Sequence, residues 1–317
     1  MPEQLERTIS VVVPVFNGGK TIRATIEHLL GQSLPPDEII VVDDGSTDQT
    51  AEVLSSFGNQ IKVHSKTNGG PASARNAGVR AATGTLVAFT DSDCLPDENW
   101  LQEIVKAFHS ATVGGVGGTV CGTLNSLIGE YVDLHRWMNP HCAADGRVLY
   151  LVTANACFRS EVLAQANLFD ERFRGAGGED TELSVRLRSI GYEFAFVESA
   201  VVRHHHKRTI LDYFKNIANH GEGQYVLERI WPEQRQVVDH TKEVVRSAAG
   251  VSTMFKFYLS YRRQHDRRKA FVFSLLDHCQ YLARIWGYRR GKRNVASASI
   301  QNPLTQASSE GLHPIKQ

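Results

Sequence analysis

The stretch EIIVVDDGSTD, residues 38–48, decides the fold class of this chain. Its four consecutive apolar residues, typical of a strand buried on both faces, lead directly into two aspartates and a turn. The same arrangement recurs in LVAFTDSD, residues 86–93, and an earlier apolar run, ISVVVPV, occupies residues 9–15. Segments with helical periodicity separate these runs. This β-α-β order predicts an α/β fold, with a mainly parallel sheet flanked by helices and right-handed crossovers.

The aspartates that follow these strands are candidate ligand-binding residues. Carboxylates at the carboxyl ends of parallel strands face the crevice where α/β proteins bind ligands. Asp91 and Asp93 supply hard oxygen ligands for a divalent cation, which in turn binds a diphosphate. We expect Asp93 to ligate the cation and Asp91 to reach the cation or a ribose. For Asp43 and Asp44 two interpretations stand: a turn that caps the next helix, or a carboxylate that accepts a hydrogen bond from the N3–H of a pyrimidine base.

Two glycine-rich turns introduce further candidates at the starts of helices. In NGGPASARN, residues 68–76, backbone N–H groups and Arg75 can bind a phosphate or a base, although an arginine in a first helical turn is often only solvated. In GAGGED, residues 175–180, the carboxylates of Glu179 and Asp180 either complement the helix dipole or include a general base for an acceptor hydroxyl.

Three consecutive histidines, His204, His205 and His206, follow the last predicted strand. Alternate side chains of a strand point to opposite faces, so at most one or two of these can ligate one ion. We expect His204 to be a further metal ligand; the alternative is that all three are solvated surface residues.

Composition indicates an ordinary soluble protein of a reducing compartment. Hydrophobic residues make up 42% and charged residues 22% of the 317-residue chain. No apolar run is long enough for a spanning helix, and the N-terminus lacks the apolar core of a signal peptide. The five cysteines are scattered and form no Cys-x-x-Cys pair, which argues against a disulfide framework and against structural zinc. The expected location is therefore cytoplasmic.

The chain divides by charge into an acidic catalytic part and a basic C-terminal part. Residues 203–293 contain 19 Lys and Arg against 8 Asp and Glu, although the net charge of the whole chain is only +1. We place a catalytic domain at residues 1–206, in which residues 149–158 are expected to form one strand. A basic helical region is predicted at residues 207–295, and a disordered tail at residues 296–317.

The basic region contains apolar-aromatic segments at residues 254–259 and 271–276, flanked by runs of basic residues. Helices of this kind can lie on the cytoplasmic face of an anionic membrane as a peripheral contact. Alternatively, they pack on the catalytic domain or form a homodimer with solvated basic faces. Nucleic acid is not an expected partner.

These motifs, in this order, resemble those of the family 2 glycosyltransferases, inverting enzymes with the GT-A fold. The matching stretches lie at residues 12–17, 42–48, 70–78, 90–93, 153–155, 169–171 and 178–180. The resemblance implies a Rossmann-like, mainly parallel sheet with a helical C-terminal extension. It also implies the transfer of a sugar from a nucleotide sugar, expected to be a UDP-sugar, to a hydroxyl of a glycan or lipid-linked acceptor. The transfer would be a single displacement, serving glycan or cell-envelope assembly.

The resemblance further implies roles for individual residues. A nucleotide-binding role is implied for Pro14, Phe16, Asn17, Asp44, Arg75, Asp91 and Ser92. A metal-binding role is implied for Asp93, Asp91 and His204, and the cation would be Mn2+ or Mg2+. Asp180 matches the base that deprotonates the acceptor hydroxyl, and Glu179 would assist or orient it.

Two other functions remain as alternatives. A sugar-1-phosphate nucleotidyltransferase would need a glycine-rich, basic phosphate loop after the first strand, where this chain offers only Lys20. A non-catalytic nucleotide-sugar-binding protein is the other alternative, and the presence of Asp93 and Asp180 argues against it. A processive polysaccharide synthase is not expected, because the chain has no Gln-x-x-Arg-Trp motif and no predicted membrane helix.

Overall fold

The computed structural model describes residues 7–123, 127–175, 177–205, 209–232 and 251–295. Its strands are β1 (Ile9–Val15), β2 (Glu38–Asp43), β3 (Lys62–Ser65), β4 (Leu86–Phe89), β5 (Cys94–Pro96), β6 (Val113–Gly122), β7 (His141–Cys142), β8 (Val148–Tyr150), β9 (Ala156–Arg159) and β10 (Glu193–His204). Its helices are α1 (Ile22–Leu30), α2 (Thr50–Ser55), α3 (Pro71–Ala81), α4 (Trp100–Lys106), α5 (Leu127–His135), α6 (Ser160–Gln165), α7 (Glu179–Ser189), α8 (Ile210–Ile230), α9 (Val251–Tyr261) and α10 (Arg267–Val295).

Eight of the strands form one mixed sheet in the order β3-β2-β1-β4-β9-β6-β10-β5. The pairs β1–β2, β1–β4, β2–β3 and β6–β10 are parallel. Strand β9 runs antiparallel to both of its neighbours, and β5 runs antiparallel to β10. The predicted α/β fold with a mainly parallel sheet is therefore confirmed.

Helices cover both faces of the sheet because apolar residues occupy both faces of its strands. In β1, Val11 and Val13 belong to a core that includes residues of α1 and α4. Val12, whose side chain points the other way, belongs to a second core with residues of α3 and α7. The uninterrupted apolar run of β1 thus reflects a strand buried on both sides.

Residues 149–158 do not form the single strand expected from their apolar character. Between β8 and β9 lies a 3-10 turn, Thr153–Asn155. The buried Asn155 amide donates hydrogen bonds to the carbonyl oxygens of Thr119 and Ala200, and its Oδ1 accepts one from Trp100 Nε1, at 2.7 to 2.9 Å. The prediction was wrong because these partners, all distant in sequence, hold the chain in a turn.

The C-terminal helices pack on the α/β part of the molecule rather than away from it. Helices α8 and α10 touch through glycines: a Cβ at Gly287 would lie 1.8 Å from the Ala218 carbonyl oxygen, and one at Gly221 would lie 2.2 Å from the Arg284 carbonyl oxygen. Leu227 of α8 also shares an apolar cluster with Val185 of α7. None of the described helices is long and apolar enough to cross a membrane.

The helical character predicted for the C-terminal region is present in α8, α9 and α10. The boundary placed at residue 206 stays a prediction. The tail predicted at residues 296–317 lies outside the described residues.

Candidate active site

The carboxyl ends of the parallel strands open into a cavity of about 590 Å³. One side of it, which we name the sheet-edge wall, comprises Pro14, Phe16, Asp44, Arg75, Asp91, Ser92, Asp93, Glu179, Asp180 and His204. A second set of lining residues, which we name the helical wall, comprises Tyr150, Tyr213, Asn216, His220, Gln224 and Arg284. Of the residues to which the family resemblance assigns a role, all but Asn17 therefore line the same cavity.

Asn17 is the candidate that lies elsewhere. It occupies the left-handed region with a φ of 52°. Its Oδ1 accepts a hydrogen bond from the Thr47 N–H at 2.8 Å, and its own N–H donates to Ser46 Oγ at 2.9 Å. Asn17 thus joins the loop after β1 to the loop after β2, and the structure places it outside the cavity wall.

The two aspartates after β2 differ in their surroundings. Asp43 Oδ1 accepts a hydrogen bond from the Ser46 N–H, so its side chain closes the turn. The oxygens of the buried Asp44 accept hydrogen bonds from the N–H groups of Gly69 and Gly70 and from Lys66 Nζ. The loop before α3 therefore fixes the Asp44 carboxylate at the cavity wall.

Four side chains converge at the end of β4. The ligating atoms of Asp91, Asp93, Cys94 and His204 lie within 4.8 Å of one another. His204 reaches this point because β10 pairs antiparallel with β5, in a register that sets His204 opposite Cys94. His204 Nε2 lies 3.3 Å from Asp93 Oδ1. The neighbouring His205 instead contacts Thr123 Oγ1 through Nδ1 at 2.6 Å, as expected for alternating strand residues.

The donor set of this cluster fits a divalent cation that prefers oxygen and imidazole ligands. Asp91 and Asp93 offer carboxylate oxygens, and His204 offers an imidazole nitrogen. Cys94 is fully buried, and burial, reinforced by the charges of Asp91 and Asp93, raises the pKa of its thiol well above the ordinary value. Cys94 is thus a packing residue of the cluster, and the other three side chains are its candidate ligands.

Arg75 links this cluster to the start of α7. Its Nη1 donates a hydrogen bond to Glu179 Oε1 and its Nη2 donates one to Asp91 Oδ1, both at 2.9 Å. Burial lowers the pKa of Arg75, but the charges of Asp91, Glu179 and Asp180 outweigh burial, so the pKa lies above the ordinary value. Arg75 therefore stays charged and holds the two carboxylates in fixed positions.

The carboxylates of Glu179 and Asp180 are adjacent in sequence but differ in their partners. Gly177 and Gly178, with φ values of 129° and 102°, turn the chain into α7. Glu179 Oε2 then accepts a hydrogen bond from the Gly177 N–H at 2.8 Å, while Oε1 binds Arg75. Burial, and next the charge of Glu179, raise the pKa of Asp180 to about 7. A carboxyl group with a pKa near neutrality can accept a proton from a hydroxyl at physiological pH.

The sequence interpretation did not identify the helical wall. On α8, Tyr213, Asn216, His220, Gln224 and Leu227 all line the cavity, at a spacing of three or four residues. This spacing places them on one face of a helix, and that periodicity was the available signal. The polar residues on this face hid its role as a cavity wall, because polar residues at helical spacing usually indicate a solvated surface.

Two family models match this chain. The model described as "Glycosyl transferase family 2" matches residues 10–157, and the model described as "Glycosyl transferase family group 2" matches residues 86–285. The second match extends over more than half of the chain and includes the helical wall.

Curated relatives have similar descriptions. The chain is 29% identical over 228 residues to a pre-mycofactocin glycosyltransferase of Mycobacterium tuberculosis. The aligned region covers 68% of this chain and 46% of that protein. It is 28% identical over 234 residues to the glycosyltransferase AglE of Haloferax volcanii, and this aligned region covers 70% of this chain and 75% of that protein. The chain spans about half the length of several of the curated relatives that it matches.

Solved structures share the fold. The mannosyltransferase PcManGT of Pyrobaculum calidifontis, in complex with GDP-Man and Mn2+, superposes with a TM-score of 0.55 at 18% identity, over 97% of this chain and 81% of that one. Residues 1–349 of S. aureus TarS superpose with a TM-score of 0.55 at 18% identity, over 91% of each chain.

Proposed function

This chain belongs to glycosyltransferase family 2 and has the GT-A fold, and we propose that it is a metal-dependent, inverting transferase. It would move a sugar from a nucleotide sugar to a hydroxyl of the acceptor. One observation carries this proposal. The cavity of about 590 Å³ is lined both by the candidate cation ligands and by Asp180, the carboxyl group whose pKa is raised to about 7.

The sheet-edge wall is suited to the donor. A cation held by Asp93, Asp91 and His204 would neutralise the charge that develops on the departing diphosphate. The ring of Phe16 is 53% exposed and lines the cavity, so it can stack on a base, and Pro14 lies beside it. Arg75 keeps Asp91 in place through the 2.9 Å contact. Because an imidazole is a softer ligand than an oxygen, we favour Mn2+ over Mg2+.

The choice of nucleotide follows from the carboxylate of Asp44. A fixed acceptor at the cavity wall selects a base with an N–H donor, such as uracil, and we therefore propose a UDP-sugar. Solved structures with this fold include complexes with UDP and with GDP-Man. A guanine base also carries N–H donors, so GDP-sugars are the direct competitors in the test below.

The proton transfer is assigned to Asp180. The hydroxyl oxygen of the acceptor attacks the anomeric carbon and forms the new glycosidic bond, while the bond from that carbon to the diphosphate oxygen breaks. The hydroxyl proton goes to Asp180, and the electron pair of the broken bond leaves with the diphosphate. Glu179, bound to Arg75 and to the Gly177 N–H, positions the turn that presents Asp180. One displacement of this kind inverts the configuration at the anomeric carbon.

A peripheral membrane contact on the cytoplasmic side is the proposed location of this reaction. Phe271, Leu275, Leu282 and Trp286 are 41% to 59% exposed and share one face of α10 by their spacing. Exposed arginines stand at both ends of this apolar stripe, at positions 267, 268, 289 and 293. Apolar side chains between basic ones fit an anionic lipid surface.

Vesicle sedimentation tests this location. The protein should sediment with anionic but not with neutral vesicles, and Leu282→Glu combined with Trp286→Ser should abolish this. Salt-insensitive recovery in the supernatant would exclude a membrane, and concentration-dependent dimerisation lost in the same variant would assign the stripe to a homodimer.

Donor screening and turnover test the central proposal. Thermal unfolding with UDP-, GDP- and TDP-sugars, each with and without Mn2+, should show metal-dependent stabilisation by one donor class. Mn2+-dependent hydrolysis or transfer of that donor should then be lost in Asp180→Asn, while its binding remains. Binding without any turnover by the wild type would indicate a non-catalytic nucleotide-sugar-binding protein instead.

A further inference from the structure

The helical wall contains a half-buried arginine that the proposed transfer does not use. Arg284, on α10, lines the cavity. Within the described part of the chain, its side chain makes no hydrogen bond and no ion pair. Part of its surface stays accessible because it faces the cavity, yet the surrounding protein is dense enough that burial lowers its pKa. Even a lowered arginine pKa leaves the guanidinium charged at neutral pH.

Among the described residues, the neighbours of Arg284 offer it no counter-charge. The ionisable groups that act on it most strongly are the hydroxyls of Tyr213 and Tyr150. Burial raises the pKa of Tyr150 to about 12, so this hydroxyl is neutral. Burial, and next the charge of Arg284, lower the pKa of His220 to about 4, so this imidazole is neutral as well. A guanidinium with no negative charge beside it is costly to keep out of water. This cost indicates that a ligand supplies the opposite charge.

The position of Arg284 is fixed by its backbone. The carbonyl oxygen of Arg284 lies so close to Gly221 of α8 that a Cβ there would be 2.2 Å away. One turn further along, Gly287 approaches Ala218 in the same way. The two helices are thus in direct backbone contact at Arg284 and one turn after it. The guanidinium is attached to one of the most closely packed parts of the helical wall.

Arg284 does not belong to the cation cluster. The helix that it packs against, α8, adjoins the turn that precedes Asp180: a Cβ at Gly223 of α8 would lie 1.7 Å from the Gly177 carbonyl oxygen. The charge of Asp180 raises the pKa of the Tyr150 hydroxyl, and that of Arg284 lowers it. Tyr150 therefore lies within electrostatic reach of both the proposed base and the arginine, and we assign this part of the cavity to the acceptor.

We propose that Arg284 binds an anionic group of the acceptor, a phosphate or a carboxylate, close to the hydroxyl that is delivered to Asp180. The identification of this ligand as the acceptor rests on the proposed transferase function. The anion site itself does not depend on that function. A guanidinium binds such groups through two parallel hydrogen bonds. Asn216 and Gln224, one turn on either side of His220 on α8, offer amide donors from the same wall. The acceptor class is thus an anionic hydroxyl compound, either lipid-linked or water-soluble.

The test uses the whole chain, stripped of metal with EDTA so that phosphate cannot bind through a cation. Binding of glycerol 3-phosphate and of decyl phosphate is measured by calorimetry for the wild type, Arg284→Gln and Arg80→Gln. Arg80 is the matched control, because it carries the same charge, is exposed and lies outside both the cavity wall and the apolar stripe of α10. We expect Arg284→Gln to weaken the binding of at least one probe tenfold or more, and Arg80→Gln to leave it within twofold. The probe that binds more tightly indicates a soluble or a lipid-linked source.

A second measurement separates this proposal from the proposed function. Stabilisation by a nucleotide sugar with Mn2+ is recorded for the same three proteins, together with their unfolding temperatures. Equal probe binding by the wild type and Arg284→Gln would overturn the anion site, whatever the nucleotide result. Loss of nucleotide binding in a folded Arg284→Gln protein would also overturn it, because Arg284 would then serve the donor. Absence of nucleotide binding in the wild type would reject the transferase proposal and leave the anion site intact.

Discussion

The two walls of the cavity hold their side chains in different ways. On the sheet-edge wall, Asp44, Arg75 and Glu179 each make two or more hydrogen bonds to other described residues. On the helical wall, Tyr213 and Gln224 have hydrogen-bond partners, but the side chains of His220 and Arg284 make no hydrogen bond within the described part of the chain. A wall with fixed polar groups suits a ligand whose chemistry is constant, such as a nucleoside diphosphate. The polar groups of His220 and Arg284 are left available for a ligand, and we infer that acceptor specificity lies at the helical wall.

The largest effect should come from Asp180→Asn, on the sheet-edge wall. An amide cannot take the hydroxyl proton, so the turnover number should fall roughly a thousandfold, within the usual range for a general base. Nucleotide binding should remain. At pH 8 the unfolding temperature should rise by roughly 2 °C or more, because the substitution removes a buried charge. Asp145→Asn is the control, since Asp145 pairs with Arg147 in an exposed turn. Equal turnover by the Asp180→Asn protein and the wild type would reject Asp180 as the base.

Asp93→Asn should have the next largest effect. Removal of one charged ligand should lower transfer roughly a hundredfold and abolish the Mn2+-dependent part of the thermal stabilisation by the donor. Asp97→Asn is the control, because Asp97 pairs with Arg203 at 2.9 Å and lies outside the cavity wall. Retention of Mn2+-dependent stabilisation by Asp93→Asn would move the cation to another site.

The pH dependence should be smaller, about tenfold for each unit of pH. Asp180 must be deprotonated to act, so the transfer rate should increase up to about pH 7, its expected pKa, and level off above that. The effect on folding has the opposite sign. The folded carboxyl group holds its proton more tightly than the unfolded one, so the ligand-free protein should lose stability as the pH rises from about 4 to about 7. A rate that is constant between pH 5 and pH 8 would contradict this role.

The smallest effect should separate the two walls most clearly. A methyl group at Gly287 cannot fit against Ala218, so Gly287→Ala should lower the free energy of unfolding by about 1–3 kcal/mol and disturb the helical wall. Gly291→Ala, whose Cβ would lie 3.2 Å from the Glu222 carbonyl oxygen, should cost clearly less, because its neighbours have to move much less and alanine favours the helix. Denaturant unfolding measures both changes. Nucleotide-dependent stabilisation should persist in both variants, and its loss in Gly287→Ala alone would show that the donor also depends on the helical wall.

The same comparison explains what the sequence could and could not predict. The positions of Asp91 and Asp93 follow from local rules, because a buried strand ends where its polar residues begin. Strand alternation predicts that His204 and His205 cannot both reach one ion, and the structure places His204 at the cluster. The role of Asn155 as a break in an apolar run could not be predicted, because its partners Trp100, Thr119 and Ala200 are brought together only by folding.

The helical wall was missed for a similar reason. Arg284 lies in a strongly basic segment, where an arginine is normally solvated, and only the contact of α10 with Gly221 places it at the cavity. Arg75 was expected near the base or the diphosphate of the donor. Its two contacts with Asp91 and Glu179 show that it also connects β4 to α7. Such side-chain contacts depend on which helices and strands pack together, and sequence patterns do not indicate that packing directly.

A crystal structure of the wild-type protein with Mn2+ and UDP, in which manganese is located by its anomalous scattering, would test the cation cluster and the base together. We expect the manganese peak in contact with Asp93 and His204, the diphosphate on that ion, and Asp180 facing it across the remaining space. A manganese peak away from this cluster, or a nucleotide bound outside the cavity, would contradict this expectation.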